Sequence, residues 1–375
     1  MSWYALTCDA CWQEDLCTTW GYYGWASKLI PKPVWNDLCN DKSAREICTL
    51  LQPRRVRSAQ LSVNAPGLNS SSMDILRSAT KQLHVLPCQD SPAHAERCRA
   101  ALALDRHHTR TLGQSALSAI EQGRYRGPSG EPVDWDQAFR GAVRAKRSLP
   151  PAALLPSVAS ANHPTTEVQV VNETTLVAAR RRVAMGDGVL ALNFANGVYP
   201  GGGFLQGARA QEEVLCRSSA LYATLHGDPM YAHHAQRPLP DATDWAILSP
   251  AVPVFRTDKG TALEAPWPLS VVTSAAPYAP GVGQPRAGDL LQGRIARVLA
   301  IAQAFGYETL VLGAWGCGAF ENDPLRTARD FQAALSGPFR GAFRHVVFAI
   351  ADWSAERAIL GPFRDVFTAA TASAS

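Results

Sequence analysis

Two periods organise the apolar positions of this chain. Glu167-Val-Gln-Val-Val171 alternates with period two, as a strand with one face toward a core does. Short unbroken apolar runs at 188–194, 269–273, 309–312 and 345–350 predict buried strands. Helical spacing fills the gaps, from Asn172-Glu-Thr-Thr175 through Ala184, then over 211–225, 290–305 and 324–335. The stretch from 225 to 269 is irregular, with strands near 245–248 and 252–255. Strands alternating with helices predict an α/β fold whose mixed, largely parallel sheet is flanked by helices on both faces.

Ahead of this core, Ser91-Pro92 suits a helix cap followed by its first residue, and helical spacing runs to Gln122 before Gly123 stops it. A second helix is expected from Asp134, with Gln137 in capping-box position, to about Lys146. Gly123-Arg-Tyr125 and Gly127-Pro-Ser-Gly130 read as the loop and turn between them, and 150–164 as a proline- and alanine-rich connector. Residues 1–90 hold neither period for long, and Asn64 to Ser72 is polar and turn-rich. Five of the ten tryptophans fall before residue 36, which argues against ordinary disorder there, and Met73 offers an internal start. The organisation expected is an unassigned extension over 1–90, a small helical accessory segment over 91–150, the α/β core over 151–368 and a tail over 369–375.

Composition removes alternatives. A formal charge of +4 on 375 residues is too small to imply a nucleic-acid or membrane surface. The arginines at 54, 55 and 57 form one cluster, and those at 180–182 read as a solvated helix face. No run of eighteen apolar residues and no signal-peptide pattern occurs, so a cytoplasmic, reducing setting is expected. Of the nine cysteines, five lie in the first fifty residues; Cys8-x-x-Cys11 lacks a second pair to complete a zinc site. His226, His233 and His234 stand in no ligand pattern and read as surface or loop residues, so no metal is expected.

Candidate chemistry concentrates in one stretch. Gly201-Gly202-Gly203 follows the 188–194 strand, and seven residues later comes Gln211-Glu212-Glu213. Glycines admit close approach, and their N–H groups can converge on an anion, so phosphate contact is expected. The run matches neither the lysine-bearing nucleotide loop nor the dinucleotide fingerprint. Carboxylates at a helix start are favoured by its dipole, yet capping explains neither the triple glycine nor the Gln-Glu-Glu triplet. Ordinary glycosidases set two carboxyls roughly 5 Å or more apart across the scissile bond, which adjacent residues cannot easily do. One glutamate must therefore move the proton while the other positions. A second loop, Gly313 to Asp323, also lies between an apolar strand and a helix, so both loops can open at one sheet edge and clamp a pyrophosphate. Within it, Cys317 reads as a small packed residue, since no histidine can be placed beside it as a base.

Asn193-Phe-Ala-Asn196, Gly201-Gly202-Gly203-Phe204, Gln211-Glu212-Glu213 and Gly313-Ala-Trp-Gly-Cys-Gly-Ala-Phe320-Glu-Asn322-Asp323-Pro324 together resemble the microbial-type poly(ADP-ribose) glycohydrolases, a catalytic branch of the macrodomain fold. The resemblance runs from about Leu112 to about Phe367. It implies a macrodomain-like core, no cofactor, and poly(ADP-ribose) and ADP-ribosylated proteins as substrate, cut at polymer ends; separately, a monomer is expected. It assigns Glu213 the acid/base role, Glu212 the ribose hydroxyls and the bond to be cleaved, and Gln211 the orientation of the pair. Asn196 would hold the distal ribose. Gly201, Gly202 and Gly203 would approach the diphosphate, as would Gly316, Cys317, Gly318 and Ala319 of the second loop, whose Phe320 would pack on the distal ribose. Adenine would lie near Asn172 and Ala351-Asp352-Trp353. Glu321 and Cys216 depart from the family pattern without touching this chemistry. Two alternatives remain open, a non-catalytic ADP-ribose reader, which has no need of Gln211-Glu212-Glu213, and a mono-ADP-ribosyl hydrolase.

Overall fold

The structure, a computed structural model, describes residues 82–157 and 163–372. In chain order its elements are β1 (Gln82–Val85), α1 (Pro92–Leu102), α2 (Arg106–Gln122), β2 (Arg124–Arg126), β3 (Pro132–Asp134), α3 (Asp136–Ala145), β4 (Arg147–Leu149), β5 (Thr165–Val171), α4 (Thr175–Ala184) and β6 (Val189–Ala195). There follow α5 (Gln211–Ser218), α6 (Leu221–Leu225), α7 (Pro229–Ala235), β7 (Ala246–Arg256), β8 (Ala262–Ala275) and α8 (Ala279–Val282). The last are α9 (Arg286–Ala304), β9 (Thr309–Leu312), α10 (Pro324–Ser336), β10 (His345–Ala349) and α11 (Leu360–Ala372).

Eight strands form one sheet in the order β1-β5-β10-β9-β6-β8-β7-β4. The pairs from β1 through β8 are parallel, whereas β7 runs antiparallel to both β8 and β4, so the sheet is mixed. Period two sorts its side chains into two cores. Leu190 and Leu192 of β6, Leu310 and Leu312 of β9, and Val346 and Phe348 of β10 meet Leu291, Ile295, Phe331, Phe363 and Phe367 from α9, α10 and α11. Their alternates Ala191, Val311 and Val347 join Leu176, Val214, Leu215 and Phe139 from the helices of the other face, and Trp135 just before α3. This is the helix-sheet-helix layering the strand and helix alternation requires.

Several boundaries differ from the sequence reading, each for a local reason. The single helix expected over 91–122 breaks at Ala103–Asp105, because the Asp105 carboxylate caps a new helix by accepting from His108 N at 2.8 Å. The helix expected from Asp134 begins at Asp136, with Asp134 Oδ1 accepting from Asp136 N at 3.0 Å. The helix expected over 211–225 stops at Ser218. Ser219 is extended there, its hydroxyl donating to Leu215 O and accepting from Leu221 N, a local competition typical of serine. The two strands expected at 245–248 and 252–255 are one strand, β7, with a bulge between Ser249 and Val252 and Ala251 at φ 50°.

The segment ends also move. Gln82–Val85 is an edge strand of the main sheet, so the stretch expected to be unassigned over 1–90 gives up its last part to the core. The expected tail over 369–375 is entered by α11, which continues to Ala372. Cys8, Cys11, the arginines at 54, 55 and 57, and the early tryptophans lie outside the described residues.

Candidate active site

α5 carries the two glutamates, and every residue of it after Gln211 is buried. It has no side-chain cap, and Glu212 and Glu213 fill its first turn, where the dipole favours anions. Glu212 Oε2 accepts from Asn196 N at 2.7 Å, and its Oε1 from Gly201 N at 3.2 Å and Asn193 Nδ2 at 3.3 Å. Burial pushes its carboxyl up to about 8, with the neighbouring Glu213 charge adding to the rise, while the three donors pull it down. Glu213 Oε1 accepts from Gly203 N at 2.9 Å; its Oε2 is buried and has no partner. The two carboxyls therefore differ: both oxygens of Glu212 are held by the protein, whereas one oxygen of Glu213 has no partner.

Three glycines are needed here for a reason the sequence did not disclose. Gly201 and Gly202 have φ of 74° and 56°, which glycine tolerates best. A Cβ on Gly202 would strike Glu213 Oε1, and one on Gly201 would crowd the Phe204 ring and Cys216 Sγ. Two of their three N–H groups meet anions, and these are the protein's own carboxylates. Gly201 N serves Glu212, Gly203 N serves Glu213, and Gly202 N donates to Tyr199 O at 2.9 Å. These N–H groups, at which phosphate contact is expected, are engaged by the protein itself in this structure.

Gln211 ties α5 to the end of β6. Its Oε1 accepts from Phe194 N at 2.9 Å, and its Nε2 donates to Leu192 O at 2.7 Å and Thr175 Oγ1 at 3.2 Å. Asn196 turns the chain immediately after β6, its Oδ1 accepting from Val198 N and Tyr199 N, both at 2.8 Å. His234, expected at the surface, is instead buried behind this turn. Its Nδ1 meets Gly197 O at 3.0 Å and its Nε2 meets Thr243 Oγ1 at 2.7 Å, and burial lowers its pKa to about 4. His226 and His233 are exposed.

The second loop leaves β9 and folds around Asn322, whose Nδ2 donates to Pro277 O at 2.8 Å and Gly316 O at 3.2 Å. Gly316 has φ 77°, and a Cβ there would meet Asn322 Nδ2 and Ala276. Among the described backbone bonds, the N–H groups of Gly316, Gly318, Ala319 and Phe320 find no protein acceptor, which leaves this loop as the one able to receive an anion. Cys317 is buried, its thiol pushed up to about 12 by that burial, so it packs and does not attack. Phe320 meets Tyr278 edge-to-face at 5.9 Å.

A cleft of about 450 Å³ gathers these parts. Asn196, Gln211, Glu212, Glu213, Gly316, Gly318, Ala319 and Phe320 line it, whereas Gly201, Gly202, Gly203 and Cys317 do not. It lies at the carboxyl ends of β5, β6, β9 and β10, where open α/β sheets bind ligands. Ile350, Ala351, Ile359 and the 44%-exposed Trp353 line it beyond β10. Asn172 does not: its side chain is spent on Asp90 Oδ1, Asp352 O and Asp352 N. The sequence reading places Asn193 in its motif without giving it a role, and Thr174 and Asp258, which also line the cleft, carry no signal.

A mixed sheet whose carboxyl edge holds a buried carboxylate pair, opposite a loop of free N–H groups, defines an α/β protein equipped for proton transfer beside a bound anion. The comparisons sharpen this. Residues 113–257 match the microbial-type poly(ADP-ribose) glycohydrolase catalytic domain. The poly(ADP-ribose) glycohydrolase of Thermomonospora curvata is 43% identical and superposes with a TM-score of 0.66, covering 70% of this chain and 100% of that one. Its complex with the inhibitor ADP-HPD is 44% identical at TM-score 0.65, covering 69% and 99%. The Deinococcus radiodurans glycohydrolase in complex with ADP-ribose is 38% identical at TM-score 0.53, covering 68% and 97%. Comparison with curated protein sequences gives no match. The chain belongs to the microbial-type poly(ADP-ribose) glycohydrolase family and is a glycosidase acting on poly(ADP-ribose).

Proposed function

We propose that this glycohydrolase cleaves the ribose-ribose O-glycosidic bond at polymer ends and releases ADP-ribose, with Glu213 as its acid/base residue. The observation that carries this is the asymmetry of the pair, since only Glu213 keeps an oxygen without a protein partner. Protonated Glu213 gives its proton to the 2′-oxygen as the bond to the anomeric carbon of the distal ribose breaks and oxocarbenium character develops there. As carboxylate it then takes a proton from water, whose hydroxide adds to that carbon, and Glu213 ends in its starting form.

Glu212 acts chiefly by holding the loop, because three of its four lone-pair directions are taken by Asn193, Asn196 and Gly201; one is left for a ribose hydroxyl. Asn196 offers its amide nitrogen to the distal ribose, its Oδ1 being used by the turn. Gly316, Gly318 and Ala319 receive the diphosphate, Phe320 packs on the distal ribose, and the wall of Ile350 and Trp353 takes the adenine. Gly201, Gly202 and Gly203 serve the chemistry by aiming the carboxylates. Gln211 fixes the pair against β6.

The same reading takes the fold as macrodomain-like and the working form as a monomer in a reducing, cytoplasmic setting. Cys88, Cys98, Cys216 and Cys317 being free thiols supports the last point. Incubation with automodified poly(ADP-ribosyl)ated protein tests the activity: free ADP-ribose is the expected product. Binding of ADP-ribose with polymer left intact would mark a reader, and release only from singly modified protein would mark a mono-ADP-ribosyl hydrolase.

A further inference from the structure

Four of the exposed large apolar side chains, Val198, Tyr199, Leu239 and Tyr278, come from segments that touch one another. A Cβ on Gly197 would stand 3.3 Å from Ala275 Cβ and 3.4 Å from Ala242 Cβ, which sets the turn over 197–199 against both of those segments. Tyr278 N donates to Pro240 O at 3.0 Å, tying it to the residue next to Leu239. The four therefore crowd one small region of surface. That region borders one end of the cleft: Asn196 opens the turn that carries Val198 and Tyr199, and Tyr278 meets the cleft-lining Phe320 edge-to-face at 5.9 Å. The reaction as described does not use it.

Tyr199 is the most exposed of the four, at 66%. Its backbone is fixed on both sides, its N donating to Asn196 Oδ1 at 2.8 Å and its O accepting from Gly202 N at 2.9 Å. Gly202 in turn lies so close to Glu213 Oε1 that a Cβ on it would collide with that oxygen. Among the described residues, the Tyr199 ring and hydroxyl have no partner. A single exposed apolar residue needs no explanation, but a clustered patch beside a binding cleft marks a contact surface. A firmly held, unpartnered aromatic ring is the kind of surface on which a nucleobase stacks.

We propose that Tyr199, with Val198, Leu239 and Tyr278 around it, receives the adenine of the penultimate ADP-ribose unit, so that the enzyme reads two units of the polymer rather than one. This rests on the cleavage at polymer ends proposed above. The leaving 2′-oxygen belongs to the adenosine of the penultimate unit, and that adenosine carries its base on the neighbouring ring carbon. The base must therefore emerge close to the bond being cut, at the rim beside the distal ribose. Asn196 and Phe320 stand at that rim, and the apolar patch is what adjoins them there. The terminal unit's own adenine goes to the wall of Ile350 and Trp353, which leaves Tyr199 for the second base. A protein side chain bearing a single ADP-ribose presents no base at this place, so the patch favours polymer over singly modified protein.

The test is KM and kcat of Tyr199→Ala and Tyr199→Phe on poly(ADP-ribose), with calorimetric affinity for ADP-ribose alongside. ADP-ribose fills the terminal subsite alone. Loss of the ring should raise KM for polymer about tenfold while kcat and ADP-ribose affinity stay close to wild type. Tyr199→Phe keeps the ring and should behave as wild type. An unchanged polymer KM in Tyr199→Ala would overturn the inference. So would an equal loss of ADP-ribose affinity, which would place the role of Tyr199 in the turn that holds Asn196. A wild-type protein that leaves polymer intact would instead bring down the proposed reaction. A two-unit oligomer titrated into wild type and Tyr199→Ala then makes the same comparison, and equal affinities refute the stacking surface.

Discussion

At the scale of single residues, the two glutamates should fail differently when altered. Glu213→Gln keeps size and the acceptor for Gly203 N but cannot move a proton, so turnover should drop by at least ~10²-fold while calorimetric affinity for ADP-ribose stays close to wild type. In Glu212→Gln, one of the oxygens that now accept from Asn196, Gly201 and Asn193 becomes a donor facing donors. Both turnover and affinity should therefore fall. Glu212 also makes stability depend on pH. Its folded-state pKa, about 8, lies above its ordinary 4.5, so the folded chain keeps a proton that the unfolded chain releases. The stability this represents is complete below pH 4.5 and is lost as pH rises toward 8, with a slope of up to ~1.4 kcal/mol per pH unit. His234 acts the other way, its stability present above 6.5 and lost as pH falls toward 4. Chemical denaturation between pH 6.5 and 8 lies above the His234 window, and Glu212→Gln should flatten the dependence there; an unchanged slope would show that the titrating group is another.

At the scale of elements, the two glycine loops look alike in sequence and do different work. The first spends two of its three glycine N–H groups on carboxylates and the second keeps those of Gly316, Gly318, Ala319 and Phe320 free, a distinction that needs the folded positions of Glu212 and Glu213 and is invisible in a linear pattern. If the second loop takes the diphosphate as proposed, ADP-ribose should raise the melting temperature more than adenosine, which lacks that group, and a chelator should not alter this. Equal shifts from both would count against the loop assignment. Gly202→Ala should cost turnover at least tenfold, through the collision of its Cβ with Glu213 Oε1, and its ADP-ribose affinity should suffer less. What was legible in the sequence follows the same division. The strands at 309–312 and 345–350 and the helix from Pro324 were readable because unbroken apolar runs and a Pro-started helix are local signals. The break at Ser219, the bulge at Ala251 and the burial of His234 were not, since each depends on a partner far along the chain or on a serine choosing between two local bonds.

At the scale of the molecule, the question is where the catalytic unit begins. The start at Ser91 suggested by periodicity would cut away β1, whose Leu83 and Val85 pack on the core under α9–α11 and whose backbone pairs with β5. It would also remove Asp90, which holds Arg357 at 2.9 Å and Asn172 Nδ2 at 2.9 Å, and Asn172 in turn holds Asp352 beside the cleft-lining Trp353. Those ties reach from one edge of the sheet to the end of the cleft that Trp353 lines. β1 was not legible because Gln82 to Val85 is only four residues long and its apolar positions make sense only once β5 lies beside it. A chain beginning at Met73 should therefore fold, melt close to the full-length protein and retain turnover. One beginning at Ser91 should melt several degrees lower and bind ADP-ribose more weakly, even where it still folds. Melting curves and calorimetry on the two chains decide it. If the Ser91 chain matches the Met73 chain in both, β1 is ornamental to the site; if the Met73 chain is folded yet inactive, residues before it contribute to catalysis and the boundary proposed here is misplaced.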